Sequence, residues 1–330
     1  MTSPRVYVIH ENPEWFSPLQ AAFEAEHVPV EEILLTGGTL DLGSVPAEGV
    51  YWSRISASAH TRGHAATKEY ARALLRWLES HGRVVVNGSG VLELEVSKVA
   101  QHALLRSHQF DVPRTTAVFG RQGLVEESRT LPVPFITKHN QGGKGLGVRR
   151  FDSYAEFDAY IAGPDFEEPV DGITLLQEYL PAREPFVTRA EFAGGRFIYA
   201  VRVDTSAGSF ELCPADACAL PASASAGGSG QIGEVCLIDG PADLFSLRRD
   251  ITAAHPLIRR YEELLSGAGI AVAGIEFIET QDGRTVTYDI NTNTNYNPAV
   301  ESSSAVSGAR EVARYLGALL EQHAPRVVTA

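Results

Sequence analysis

Gly274-Ile275-Glu276-Phe277-Ile278-Glu279-Thr280-Gln281-Asp282-Gly283-Arg284-Thr285-Val286-Thr287-Tyr288-Asp289-Ile290-Asn291 reads as two β-rich runs around Asp282-Gly283, the pair favoured by a two-residue type I′ hairpin. That turn fixes a register. Gln281 stands opposite Arg284, Phe277 opposite Tyr288, Glu276 opposite Asp289, Ile275 opposite Ile290 and Gly274 opposite Asn291. Alternation then puts Ile275, Phe277, Val286, Tyr288 and Ile290 on a core face, and Glu276, Asp289 and Asn291 on the other.

Two carboxylates directly opposite each other repel unless something positive lies between them. Two carboxylates and an amide oxygen make an all-oxygen site that suits a hard ion such as magnesium. A solvated polar face in a slipped register is the alternative.

A second hairpin lies upstream, where Thr188 to Phe192 and Phe197 to Val203 flank Gly194-Gly195. Its expected apolar face carries Ala190, Phe192, Phe197, Tyr199, Val201 and Val203. Arg189, Glu191 and Arg202 face the other way, with Arg189 opposite Ala200 and Arg202 its diagonal neighbour. Two guanidinium groups so placed can clamp a polyphosphate; an exposed face with Arg189 paired to Glu191 is the plain alternative.

Further upstream, Lys138-His139-Asn140-Gln141-Gly142-Gly143-Lys144-Gly145-Leu146-Gly147 places glycines directly after the strand Pro132 to Lys138. Such a turn can aim several backbone N–H groups at phosphate oxygens. It is neither a P-loop nor a dinucleotide fingerprint, since no Gly-Lys-Ser/Thr ending follows and Val148 stands where a third glycine would be.

The amino-terminal third alternates strands (Arg5 to His10, Ile33 to Leu35, Val50 to Trp52, Val84 to Val86) with helices near Pro18 to Glu26 and Thr67 to Ser80, the pattern of an open α/β sheet. His10-Glu11 ends the first strand, where ligands of such sheets commonly sit. Helical periodicity resumes over Leu92 to His108, Ser153 to Ile161, Pro256 to Gly267 and Ala309 to His323, and Thr174 to Tyr179 reads as a strand. The expected lobes are 1–90, 91–181 and 182–330. The patch ending in Ala-Ser-Ala-Ser-Ala-Gly-Gly-Ser-Gly within Ala207 to Gly230 reads as a mobile loop.

With 330 residues, 44% hydrophobic and 21% charged content, the chain can bury a sizeable core. Its net charge of −13 disfavours tight binding to nucleic acid or anionic membrane. Val6 to Ile9 is too short an apolar run for a signal-peptide core and no stretch could span a bilayer, so the expectation is a cytoplasmic protein. Cys213, Cys218 and Cys236 are too few for a disulfide framework and lack a second pair for zinc; they read as structural thiols.

In this order the pieces resemble the ATP-grasp superfamily, in the branch of the ribosomal-protein glutamate ligases and related carboxylate-amine ligases, from about Val84 to Asn297. Val85-Val86-Asn87-Gly88 followed by Ser97-Lys98 is similar to the segment ahead of that family's first ATP-contacting lysine. Phe135-Ile136-Thr137-Lys138 is similar to its second lysine strand, and Gly142, Gly143, Lys144, Gly145 and Gly147 to its phosphate loop. The resemblance implies an α/β ATP-grasp fold with an amino-terminal open lobe and two lobes clasping ATP. It implies an adenine hinge at Gln177, Glu178, Tyr179 and Leu180, a ribose acid at Glu184, and a recurrent arginine at Arg189. It also implies catalytic roles for Arg202 and Lys138, and two magnesium ions, or manganese in their place, on Glu276, Asp289 and Asn291.

Arg54 resembles a substrate-facing arginine of the first lobe. Two departures stand out. Val187 replaces an acid that commonly precedes the Arg189 position, and Asn291-Thr292-Asn293-Thr294-Asn295-Tyr296-Asn297-Pro298 replaces Ser-Ser-Pro-Gly. Asn293 and Asn295 become substrate candidates, and the acceptor is expected not to be the ribosomal protein. The implied activity is amide or peptide bond formation through an acyl phosphate, on an amino acid or small peptide. The rivals are a non-amine acceptor and a nucleotide-binding regulatory protein without ligase chemistry; a homo-oligomer stays open.

Overall fold

The computed structural model describes residues 3–143, 145, 147–206 and 244–323. Lys144, the three cysteines and the expected loop Ala207 to Gly230 lie outside them. Three sheets organise the chain. The first is parallel, in the order β2-β1-β3-β4, from β1 (Arg5–His10), β2 (Val30–Leu34), β3 (Gly49–Ser53) and β4 (Val84–Val86), with α1 (Ser17–Ala25) and α2 (Thr67–Ser80) between strands. Two neighbouring sheet strands that run parallel require a crossover, and these helices supply it.

The expected single helix over Leu92 to His108 is two: α3 (Ser89–Glu95) and α4 (Lys98–Ser107). Ser97 between them is extended, and its Oγ accepts from Ala100 N at 3.2 Å, which caps a new helix. Lys98 thereby becomes the first residue of α4.

The second sheet has the order β5-β8-β6-β7 and every neighbouring pair is antiparallel: β5 (Thr115–Phe119), β6 (Phe135–His139), β7 (Arg149–Phe151) and β8 (Ile173–Glu178). Short α5 (Leu124–Ser128) and α6 (Tyr154–Ala162) pack beside it. The third sheet runs β11-β10-β9-β12-β13, from β9 (Phe186–Ala193), β10 (Arg196–Asp204), β11 (Phe245–Leu247), β12 (Ala273–Glu279) and β13 (Thr285–Asn291).

One face of this sheet is sealed by α7 (Pro256–Ala268), whose Ile258, Tyr261, Leu264 and Leu265 bury against Phe192, Ile275, Phe277 and Ile290. On the other face Val187, Val201 and Val203 join a core with Val6, Val8 and Trp52 of the first sheet, completed by Val312 and Leu316 of α9 (Gly308–His323). The last helix therefore ties the carboxy-terminal sheet to the first lobe. Before it, α8 (Pro298–Ser303) starts at Asn297, whose Oδ1 accepts from Ala299 N and Val300 N at 2.9 and 3.2 Å.

Both hairpins form, and both depart from the expected register. In β12–β13 the loop holds three residues, not two. Gly283 N donates to Thr280 O at 3.1 Å and Thr280 N to Arg284 O at 2.9 Å, with Gly283 left-handed at φ 86°. This slips the pairing by one, so Phe277 lies opposite Thr287 and Ile278 opposite Val286. A bulge at Tyr288 then restores it, and Glu276 meets Asp289, and Gly274 meets Asn291, as the sequence indicated.

In β9–β10 the two-residue Gly194-Gly195 turn is present, with both glycines at positive φ and Ala193 opposite Arg196. Here a bulge at Ile198 shifts everything beyond it with nothing to offset it. Arg189 faces Val201 instead of Ala200, and Arg202 faces Thr188.

Candidate functional site

Glu276 and Asp289 sit side by side on β12 and β13, with Asn291 Nδ2 donating to Glu276 Oε1 at 3.2 Å. Three cations converge on them. Lys98 Nζ reaches Asp289 Oδ1 at 2.6 Å, Arg189 Nη1 lies 3.8 Å from Glu276 Oε1, and Lys138 Nζ rests 4.9 Å from the Tyr288 ring centre. The bulge turns Tyr288 off the expected core face to this side, where its hydroxyl acts on Glu276.

Burial raises the Glu276 carboxyl and the neighbouring Asp289 charge raises it further. Burial also works against Asp289, but Lys98 and Lys138 outweigh it and hold that carboxyl below its ordinary value. Burial and repulsion from Lys98 bring Lys138 down to about 8, whereas Asp289 keeps Lys98 raised in spite of burial.

Glu276 Oε2 is buried without a hydrogen-bond partner among the described residues. An orphaned carboxylate oxygen costs free energy unless a donor or cation meets it. Among the described residues no three His, Cys, Asp or Glu side chains gather in metal-binding geometry, so the donor set here is two carboxylates and an amide. That set fits a small hard cation which takes its remaining oxygens from elsewhere.

Lys98, His102, Lys138, Leu175, Gln177 and Tyr288 line a cleft between the second and third sheets. The glycine turn follows the strand β6 that carries Lys138. Gly145 and Gly147 are left-handed, at φ 76° and 69°, and a Cβ on Gly147 would overlap the His139 ring. His139 is therefore a packing residue of the turn, its Nε2 3.2 Å from Glu167 O.

The Gln177 to Leu180 segment ends β8. Gln177 lines the cleft and Leu180 is buried, but Glu178 is tied back to the residue before β5, its Oε1 accepting from Arg114 N at 2.9 Å. The Tyr179 ring lies 4.5 Å from the Arg150 guanidinium. Glu184 is exposed beyond them.

Arg202 is not part of this cluster. The bulge at Ile198 puts it on the opposite sheet face from Arg189 and Glu276, where it stacks 4.3 Å from the Phe186 ring and lies 3.7 Å from Asp204. The expected two-arginine clamp is not formed. Arg189 is half-buried and paired with Glu191 at 2.7 Å, and its Nη2 donates to Thr294 Oγ1.

Arg54 and Asn295 do come together: Arg54 Nη2 donates to Thr294 O at 2.9 Å and to Asn295 Oδ1 at 2.7 Å, drawing the first lobe onto the turn that follows β13, whereas Asn293 Oδ1 meets no partner among the described residues. His10, at the end of β1, is buried against Glu32 at 2.9 Å and Asn12 O at 3.0 Å.

The sequence did not mark three residues for the supporting part they play. Asn87, at φ 51°, donates from Nδ2 to Val272 O and Thr292 O, and accepts on Oδ1 from Ala271 N and Val272 N. Glu95 accepts from Thr292 N at 2.7 Å, Thr292 Oγ1 at 2.8 Å and Ala57 N at 3.3 Å. Gln101 satisfies both backbone groups of Ile290 on the edge strand β13. Each spends its side chain on buried backbone beside the site. The visible hints were only Asn87 in the turn after β4, and Glu95 and Gln101 as polar residues within an otherwise apolar helical pattern.

No protein-family model matches the chain, and no curated protein matches it. Solved structures do. The chain is similar to the RimK domain protein ATP-grasp from Sphaerobacter thermophilus with a TM-score of 0.64 and 17% identity, over 94% of this chain and 98% of that one. It is similar to the ATP-grasp ligase PsnB, in a structure with minimal precursor, Mg and ADP, with a TM-score of 0.62 and 14% identity over 96% and 98%. D-cycloserine synthetase DcsG gives 0.61 and 15%, over 96% of this chain and 99% of that one. The fold is the α/β ATP-grasp fold, and it covers nearly the whole chain. Among the described residues no helix is long and apolar enough to cross a membrane.

Proposed function

We propose that the chain is a magnesium- and ATP-dependent ligase that joins a carboxylate to an amine through an acyl phosphate. The observation that carries this reading is the meeting of Glu276, Asp289 and Asn291 with Lys98, Lys138 and Arg189 at the mouth of one cleft. A site for binding alone has no need of paired buried carboxylates at the phosphate end. The domain reading that goes with it is a first lobe over 1–90, and two lobes, 91–181 and 182–330, that hold the nucleotide between them.

In this reading Gln177 to Leu180 border the base, and the exposed Glu184 is close enough in sequence to reach the ribose. The backbone N–H groups of Gly142, Gly143, Gly145 and Gly147 face the phosphates, and Lys98 and Lys138 exchange their present partners for phosphate oxygens. Glu276, Asp289 and Asn291 would hold magnesium, which supplies charge neutralisation on the nucleotide's terminal phosphates. Arg189, not Arg202, is the arginine placed to offset charge as the phosphoryl group moves to the substrate carboxylate. The amine then attacks the acyl phosphate, and closure of the glycine turn keeps water out.

The test is to incubate the protein with MgATP, hydroxylamine and a panel of amino acids and small carboxylates. Hydroxamate and ADP formed together with one acid support the ligase. ATP bound without ADP or hydroxamate from any acid would move the reading to a non-carboxylate acceptor or a regulatory nucleotide-binding protein.

A further inference from the structure

A helix N-terminus beside a cleft is ordinarily an anion site, and α4 begins with Lys98, a residue of the cleft wall. Its leading N–H groups are nevertheless already taken. Lys98 N donates to Asn140 O at 3.2 Å, Val99 N to Asn140 Oδ1 at 2.9 Å and Ala100 N to Ser97 Oγ at 3.2 Å. A phosphate therefore meets this helix through the Lys98 side chain, and two of the three donors belong to one residue that follows β6.

Asn140 is 4% exposed and uses every polar group it has. Its N–H donates to Ile173 O at 3.0 Å, which carries the β6–β8 ladder one residue further, and its Nδ2 donates to Asp171 Oδ2 at 2.6 Å. Oδ1 also accepts from Ser97 Oγ at 3.2 Å, and Asp171 is fixed in turn by accepting from Ile173 N at 3.1 Å. Asn140 stands two residues after Lys138, so both side chains leave the same side of the strand. The helix has its own cap in Ser97 and does not need Asn140 in order to form. What Asn140 adds is the place of the helix against the strand.

Further along α4, Gln101 holds both backbone groups of Ile290 on β13, at 2.8 and 3.0 Å. The helix thus joins the two sheets that form the cleft. Asn140 ties it to the strand of Lys138, and Gln101 ties it to the strand of Asp289, where Lys98 Nζ lies 2.6 Å from Oδ1. Two ammonium groups lining one cleft repel each other, so holding both ready for an anion takes a fixed backbone. We propose that Asn140 is a positioning residue of the phosphate site: it holds the strand of Lys138 to the helix of Lys98, so that both ammonium groups meet the phosphates of one nucleotide.

The proposal rests on the nucleotide half of the ligase reading and deepens it with a residue that acts through Lys98 and Lys138 instead of touching the nucleotide. Its mark is selectivity by phosphate. A residue that places the two lysines matters to ligands that carry phosphates and not to the nucleoside, whose base lies toward Gln177. A residue that only holds the fold together weakens every ligand alike.

The experiment measures binding of adenosine, ADP and ATP at fixed magnesium, by calorimetry, in the wild type and in variants of Asn140 and Asp171. Asn140→Ala should weaken ADP and ATP by about 10-fold or more and leave adenosine nearly unchanged. Asn140→Asp alone sets two carboxylates where the 2.6 Å bond stood and should do no better. Combining Asn140→Asp with Asp171→Asn reverses donor and acceptor in that bond, keeps acceptors for Val99 N, Ser97 Oγ and Ile173 N, and should restore most of the ATP affinity. Asp171→Ala should show the same selective loss at smaller size, and it serves if Asn140→Ala does not fold. Equal loss for adenosine and ATP, unchanged ATP affinity, or a double variant that binds ATP no better than Asn140→Asp would overturn the proposal while the nucleotide reading stands. A wild type that binds adenosine as tightly as ATP, or binds neither, would remove the phosphate reading of the cleft and this proposal with it. The selective pattern without hydroxamate from any acid would support the proposal and remove only the ligase chemistry.

Discussion

The two hairpins of the third sheet are built alike and end differently. Each has a glycine turn, each alternates apolar and polar residues, and each carries one bulge. In β12–β13 a three-residue turn slips the pairing by one and the bulge at Tyr288 slips it back, so Glu276 and Asp289 remain opposite. In β9–β10 the turn is the expected one, but the bulge at Ile198 stands alone and sends Arg202 to the far face. Turn chemistry sets register only as far as the first bulge. The carboxylate pair survived because two irregularities cancel, and the arginine pair did not because one has no counterpart.

The largest expected effect separates the two hairpins by chemistry. Asp289→Asn should cut acid-dependent ADP formation by on the order of 10²–10³-fold, while nucleotide still quenches or shifts a binding signal. Retention of wild-type turnover would show that the β12–β13 pair is not the reacting centre.

Next come the arginines. Arg189→Ala leaves Glu191 and Glu276 buried with a partner removed, and breaking such a buried pair costs about 3–5 kcal/mol. Arg202 is 37% exposed, so Arg202→Ala should cost within about 1 kcal/mol and change turnover only a few-fold. Urea unfolding and steady-state kinetics on both variants check this, and a collapse of turnover in Arg202→Ala alone would return that residue to the site.

Lys138 offers a test with a definite sign. Its ammonium is held down to about 8 by burial and by Lys98, so the free protein has lost that proton at pH 9. A bound phosphate favours the charged form and raises the value. ATP without metal should therefore bind with proton uptake near pH 8 to 9, and its affinity should fall as pH rises through about 8. In the free protein the same shift makes stability rise with pH between about 8 and the ordinary lysine value of 10.5, because the unfolded chain binds more protons there. Calorimetry in buffers of different ionisation enthalpy reads the uptake. Lys138→Met should abolish it.

The smallest effects are at the turns. Gly283 at φ 86° has open space around a would-be Cβ, so Gly283→Ala should cost about 1–2 kcal/mol from the left-handed backbone alone. Gly194 at φ 59° would also place its Cβ 2.7 Å from Tyr315 of α9. Gly194→Ala should then lower the thermal midpoint more than Gly283→Ala, and the reverse order would mean that α9 gives way freely.

Local rules made most of the fold readable. Alternation and helical periodicity found Arg5 to His10, Thr67 to Ser80 and the strands of both hairpins, because each has a buried face at a fixed period. The continuous helix over Leu92 to His108 failed at Ser97, where a single cap competes with an unbroken apolar pattern. The charged residues of the candidate site were visible by type: Lys98, Lys138, Glu276 and Asp289 lie together. Asn87, Glu95 and Gln101 were not, because they bind backbone groups of segments about 185–200 positions away. No local pattern encodes such a contact. The same limit hid the bulge at Ile198, an ordinary strand residue whose extra place in the ladder is set by what packs around it.

The most direct test of the acyl phosphate follows the oxygen. With the acid that gives hydroxamate, labelled with ¹⁸O in its carboxylate, one turnover with MgATP and amine should deliver one ¹⁸O to inorganic phosphate, and Asp289→Asn should deliver it slower by on the order of 10²–10³-fold. Unlabelled phosphate, or label appearing in AMP with release of pyrophosphate, would contradict phosphoryl transfer to the carboxylate at the Glu276–Asp289 pair.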